Sequence, residues 1–145
     1  MYKRILVPLD GSPLAEAILP HAEVIAKAME AEIILLYVIP GPAAEFSVDP
    51  HTIAIDVLQD AEAEMKIYLK NECSKVEKEG FRVTYLIREG IVVDTILDVA
   101  QVMQANMIAM STHGRTGALR LLFGSVTEGV VHQSPLPVLV IRPKS

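Results

Sequence analysis

Short unbroken apolar runs alternate along this chain with longer segments in which apolar residues recur every three or four positions. The runs cover residues 5–7, ending at Pro8; 33–39, ending at Pro40; 107–110; and 138–141. Strands that are apolar throughout are what a parallel sheet needs when helices cover both of its faces. Residues 81–88 alternate more and predict an edge strand. Four helical patterns fall between the runs. The first spans 13–30, with Ser12 as N-cap and Pro13 at the permitted first position, and Pro20 predicts a kink or local break inside it. The second spans about Thr52 to Glu79, where Leu58, Ala61, Met65, Tyr68, Leu69, Cys73 and Val76 mark one buried stripe and Gly80 is a natural stop. The third spans about Val92 to Gln104, with Val93, Ile96, Ala100 and Met103 on one face. The fourth starts near Ser125 and ends before Pro135.

The order strand, helix, repeated to a fifth strand, predicts an α/β fold. It is a single doubly wound, five-stranded parallel sheet with helices on both faces, Rossmann-like, with right-handed crossovers. Residues 1–145 form one domain, with no repeat or low-complexity tract. The segment from Pro40 to His51, rich in proline and small residues, reads as a loop and a candidate flap. In such sheets ligands bind beyond the carboxyl ends of the strands, where strand order reverses.

Composition narrows the partner. Acidic residues number 18 against 13 Lys and Arg, with no basic run, which argues against a nucleic-acid binder. A small anion held by backbone N–H groups remains open. Cys73 is the single cysteine, so neither an intrachain disulfide nor a cysteine-rich zinc site forms, and it reads as a half-buried helix thiol. The opening residues do not read as a signal peptide, and no apolar run reaches spanning length. The expectation is a cytoplasmic protein without a membrane partner.

Three strand ends carry candidate chemistry. The first is followed by Pro8, Leu9, Asp10, Gly11 and Ser12; the second by Val38 to Gly41; the fourth by Ser111, Thr112, His113, Gly114, Arg115, Thr116 and Gly117. Gly114 and Gly117 allow a tight turn and close backbone approach. Gly124 and Ser125 then open the fourth helix, whose free N–H groups and dipole make an anion site. Two readings stay open there. The helix start binds an anion, or Ser125 and Glu128 form a capping box that satisfies its donors internally. Asp10 likewise either holds a ribose hydroxyl or caps the first helix with Gly11 and Ser12. The loop is not a P-loop, since no lysine follows the second glycine, and the first turn lacks the dinucleotide fingerprint.

Taken together, residues 5–12, the strand ending at Tyr37 and Val38, the stretch 110–125 and the tail 135–143 resemble the universal stress protein family over nearly the whole chain. The nucleotide-binding branch of that family carries glycine, two residues, glycine, nine residues, glycine, then serine or threonine. Here Gly114, the nine residues 115–123, Gly124 and Ser125 match, and Ser111 stands at the first glycine position. Its Cβ would narrow the approach to ribose or phosphates. The resemblance implies an adenine nucleotide (ATP, ADP or AMP). Pro8, Leu9, Asp10 and Val38 would line its adenine and ribose, and Met110 and Ser111 would lie beneath the sugar. His113, Gly114, Arg115, Gly124, Ser125, Val126 and Thr127 would surround the phosphates. Mg2+ or Mn2+ would be held through phosphate oxygens. It also implies a homodimer in which the last strands pair, although that run fits a buried central strand as well.

No catalytic residue is assigned. His21, His51 and His132 lack ligand spacing, Asp94 and Asp98 read as a solvated helix face, and no serine–histidine–acid order appears. A phosphoacceptor receiver is set aside because Asp10 has no acidic neighbour and the third strand ends Ile87-Arg88-Glu89-Gly90. Two functions remain: a nucleotide-dependent stress-response regulator with at most slow ATP hydrolysis, or a dimeric interaction protein of the same fold that binds no nucleotide.

Overall fold

A computed structural model of the chain describes residues 3–41, 54–112 and 124–143. In chain order its elements are β1 (Arg4–Leu9), α1 (Pro13–Glu16), α2 (Leu19–Met29), β2 (Glu32–Pro40), α3 (Ala54–Lys78), β3 (Val83–Gly90), α4 (Val92–Val102), β4 (Met107–Ser111), α5 (Ser125–Gln133) and β5 (Val138–Ile141). The predicted helix over 13–30 is two helices. The break falls at Ala17 and Ile18, and Pro20 sits in the first turn of α2. There its missing N–H costs nothing, whereas one continuous helix would drive its ring into the carbonyl of Glu16. Gly80 ends α3 as expected and takes φ 96°, a conformation that favours glycine. The predicted loop from Pro40 to His51 lies, after Gly41, outside the described residues.

The five strands are all parallel, in the order β3-β2-β1-β4-β5. The chain therefore builds outward from β1 in one direction and then in the other, which puts the reversal between β1 and β4. The strands also part there. β1 pairs with β2 from Arg4↔Glu32 to Leu9↔Tyr37, but with β4 only at Ile5↔Met107 and Leu6↔Ile108. The carbonyl of Lys3 accepts from Glu32 on the β2 side, and that of Arg4 accepts from Asn106 on the β4 side. By this alternation Pro8 faces β4, where it has no N–H to donate, and the ladder stops short of it. A proline in a central strand thus opens the crevice at the carboxyl ends.

Successive strand residues feed two cores. Ile5, Val7, Leu9, Ile33, Leu35 and Tyr37 pack with α1, α2 and α3; Leu6, Ile34, Leu36 and Val38 pack with α4 and α5. On α3, Leu69, Cys73 and Val76 are buried and Met65 and Tyr68 half-buried, as the stripe predicts; the side chains of Leu58 and Ala61 lie outside the described residues. On α4, Ile96 and Ala100 are buried, with Val93 and Met103 packed against them. β3 is an edge strand, as its alternation predicts, and so is β5.

Candidate functional site

A cavity of about 430 Å3 opens at the carboxyl ends of β2, β1 and β4, on the crevice that Pro8 creates. That volume falls within the ~300–1,000 Å3 usual for small-molecule sites. Pro8, Leu9 and Asp10 line it from β1, Val38 from β2, Met110 and Ser111 from β4, and Gly124, Ser125, Val126 and Thr127 from the start of α5. Of the residues singled out in the sequence, His113, Gly114 and Arg115 lie outside the described residues. Six lining residues were given no ligand role by the sequence: Ala15, Leu36, Tyr37, Val92, Ile96, and Pro40, which lies on a strand end already singled out. Ala15 comes from α1. Val92 and Ile96 come from α4, whose apolar face supplies both core and cavity wall. A period-based reading assigns such residues wholly to the core.

The turn from β1 into α1 is closed by its own side chains. Ser12 is the N-cap, its Oγ accepting from the Ala15 N–H at 3.1 Å. Asp10 Oδ1 in turn accepts from the Ser12 N–H at 3.0 Å and from Ser12 Oγ at 2.6 Å. Asp10 therefore does not cap the helix itself; it holds the residue that does. This is an Asx-type turn, in which a short carboxylate replaces a backbone partner.

The start of α5 is different, and of the two readings left open there the capping box does not form. The N-cap is Gly124, with φ −66° and ψ 157°, and no side chain among the described residues caps this end. Ser125 is the first helical residue and is exposed. Glu128 is exposed as well, with His132 Nε2 3.8 Å from its carboxylate. The box fails because the helix begins one residue earlier than it requires, so Ser125 is already inside. The first turn of α5 thus lines the cavity, and its N–H groups have no side-chain acceptor among the described residues.

Two further predicted residues turn inward. Thr127 is buried and its Oγ1 donates to the Ser111 carbonyl at 2.9 Å. Ser111 is buried, and its Oγ donates to the Ala15 carbonyl at 3.3 Å. Its hydroxyl is directed at α1, so only its carbon framework narrows the cavity. On α1, Glu16 Oε2 accepts from the Tyr68 hydroxyl at 2.7 Å, and the Tyr68 ring meets Tyr37 edge-on with centroids 6.4 Å apart. Burial first, then the hydrogen bond to Glu16, raises the pKa of this phenol above the ordinary tyrosine value, so it remains a donor. Cys73 is buried, and desolvation first, with Glu77 and Glu72 nearby, pushes its thiol up to about 11. It is an unreactive core thiol at neutral pH.

A second hollow, of about 510 Å3, is larger but more open. It lies at the opposite end of the sheet, among Glu23, Glu30 and Glu79 and beside Ala31 and Phe81, which precede β2 and β3. Lys27 and Arg82 line it beside the three glutamates, and its place at the amino ends of the strands makes it the poorer candidate for an anionic ligand. His21, His132, Asp94 and Asp98 are exposed, while His51 lies outside the described residues. Among the described residues no three His, Cys, Asp or Glu side chains come together as a metal site, and no helix is long and apolar enough to cross a membrane.

Comparison with known proteins follows this geometry. A sequence model described as the universal stress protein family matches residues 1–142. The chain is 34% identical to Universal stress protein MJ0577 of Methanocaldococcus jannaschii, covering 100% of this chain and 98% of that one. It superposes on the solved structure of MJ0577 with a TM-score of 0.77, over 100% and 99% of the two chains at 33% identity. With universal stress protein UspA from Lactobacillus plantarum the TM-score is 0.81, over 97% and 98% of the chains at 32% identity. A universal stress protein from Archaeoglobus fulgidus, solved in complex with dAMP, shares the fold at a TM-score of 0.71, over 97% and 98% of the chains at 22% identity.

Proposed function

This chain belongs to the universal stress protein family, and we propose that it binds an adenine nucleotide in the β1–β4 cavity and acts as a nucleotide-dependent regulator in the cytoplasm. The observation that carries this reading is the start of α5. The residues of its first turn line a cavity of suitable size, no side chain among the described residues caps it, and a helix N-terminus favours an anion there by about 0.3–1 kcal/mol through its dipole, more when partly buried. The apolar side chains of Leu36, Val38, Ile96 and Met110 offer a flat base what the helix start offers phosphates. Gly114 and Arg115 extend the phosphate side on the strength of the sequence pattern. A bound Mg2+ or Mn2+ would sit on the phosphate oxygens and neutralise part of their charge. The dAMP complex of the distant A. fulgidus relative shares only the fold, so the reading rests on this chain's own cavity.

A homodimer through β5 belongs to the same proposal. Val138–Ile141 is an apolar, half-exposed edge strand. Leu139 and Ile141 face β4, since Thr112 donates to the Ile141 carbonyl, which leaves Val138 and Val140 facing outward. Val140→Pro would remove an outward donor and leave the β4 ladder intact. A dimer by sedimentation that becomes a monomer in this variant supports the pairing; an unchanged dimer removes it.

One observation favours the second reading, an interaction protein without nucleotide. Asp10, Ser111 and Thr127 direct polar atoms at protein partners. Mass spectrometry of small molecules released from protein purified without added nucleotide separates the two. Adenylate near one per chain supports binding. An empty protein with no thermal shift in millimolar ATP and magnesium leaves the interaction reading.

A further inference from the structure

We infer that Ser111 is a positioning residue that braces the α1 wall of the cavity, so that the side chain standing where the family pattern has glycine strengthens adenylate binding instead of obstructing it. This rests on the nucleotide reading above. α1 is weak on its own. It is a four-residue helix, too short to hold its shape unaided, and the break ahead of Pro20 cuts its carbonyls off from a continuing ladder. The Ala15 carbonyl accepts from the N–H of the C-cap residue Ala17, from the Ile18 N–H at 3.4 Å and from Ser111 Oγ at 3.3 Å. The next residue, Glu16, is held by the Tyr68 hydroxyl from α3.

Ala15 and Asp10 are the residues of α1 and its turn that line the cavity, and Ser111 lines it from β4. Ser111 does more than hold α1. Its own carbonyl accepts from Thr127 in the first turn of α5. A continuous string therefore runs from Tyr68 through Glu16 and Ala15 of α1, across Ser111 at the end of β4, to Thr127 of α5. It spans the place where β1 and β4 have already parted, so it joins two cavity walls that the sheet no longer joins. A glycine at 111 would keep the carbonyl link to α5 and lose the hydroxyl link to α1. The wall would then be free to occupy positions in which the ligand does not fit, and apparent affinity falls by the fraction lost.

Steric reasoning and bracing predict opposite signs, which makes the test sharp. Affinities of the full-length protein for magnesium ATP and for AMP would be measured by calorimetry in wild type, Ser111→Ala and Ser111→Gly. Bracing predicts about three- to tenfold weaker binding in both variants, the range of one neutral hydrogen bond. The loss should be equal for AMP and ATP, because α1 faces the nucleoside and not the outer phosphates. Amide exchange over residues 14–17 should accelerate in the ligand-free variants. Tyr68→Phe, which keeps the ring contact to Tyr37, should weaken binding in the same way and serves as the test if a Ser111 variant does not fold. Glu16→Gln, whose amide oxygen still accepts, should bind as wild type does. Binding that is equal or tighter in Ser111→Gly, or unchanged exchange over 14–17, overturns the inference and leaves the nucleotide site standing. A wild-type protein that binds neither nucleotide overturns both.

Discussion

Where β1 turns into α1, Ser12 accepts from the Ala15 N–H and Asp10 holds Ser12, so the helix start satisfies itself. Where α5 begins, Gly124 offers no side chain and Ser125 points to solvent. The two turns flank the same crevice, and each has a serine and an acid near its start. They differ in where the helix begins relative to the serine. In α1 the serine precedes the helix and can reach back to its donors; in α5 it is the first helical residue and cannot. One residue of offset thus separates a closed structural turn from a turn that leaves its donors available to an anion.

The largest effect should come from making the second turn resemble the first. Gly124→Asp supplies an N-cap acceptor at a backbone conformation open to any residue. The protein should become slightly more stable, by a few tenths to about 1 kcal/mol. Binding of ATP should fall by about two orders of magnitude, since a fixed carboxylate some 4 Å from a phosphate at a protein surface costs roughly 4 kcal/mol before relaxation. Thermal melting and calorimetry read the two changes separately. A variant that gains stability and still binds ATP normally would place the phosphates elsewhere. Next in size is Thr127→Val, which keeps the shape and leaves the Ser111 carbonyl without its 2.9 Å donor. A loss of about 1–2 kcal/mol is expected, seen as a melting temperature lower by roughly 3–6 °C.

These two turns also mark how far the sequence could be read. The strands were legible because continuous apolar runs have few other uses in a chain without a membrane-length segment, and the alternation of Phe81 to Arg88 correctly pointed to an edge. Pro20 announced its break because a missing N–H acts locally. Ser12 was legible as a cap for the same reason. Ser125 was not, because the spacing Ser-x-x-Glu fits the sequence whether the helix starts after the serine or on it, and that choice is made by packing. The role of Pro8 was hidden too. Only the pairing of neighbours shows that its missing donor faces β4. Ser111 showed its size in the sequence but not its direction, which depends on Ala15, 96 positions away.

Ser12→Ala tests the closed turn directly. It removes the acceptor for Ala15 N–H and the partner of Asp10, and should cost about 1 kcal/mol, or roughly 3 °C in melting temperature. Nucleotide affinity should fall less than stability suggests if Asp10 remains at the cavity edge, and steeply if the turn collapses into it. Equal stability of Ser12→Ala and wild type would mean that the first turn is no more closed than the second.

The smallest expected effect is a control in the second hollow. Glu23 there has its pKa raised, mainly by burial and then by Glu79. A raised carboxylate pKa means that the folded chain holds the proton more tightly than the unfolded one. The penalty for ionised Glu23 is therefore absent below the ordinary carboxylate value of 4.5 and sets in as pH rises through the raised one. Glu23→Gln should then stabilise the protein by a few tenths of a kcal/mol at pH 7, scaled down because the site is partly exposed. That gain should vanish below about pH 3, where both states of the wild type are protonated. Affinity for ATP should be unchanged throughout. A loss of affinity in Glu23→Gln would show that the hollow at the amino ends of the strands communicates with the ligand, and the contrast between the two turns would no longer suffice to locate the site.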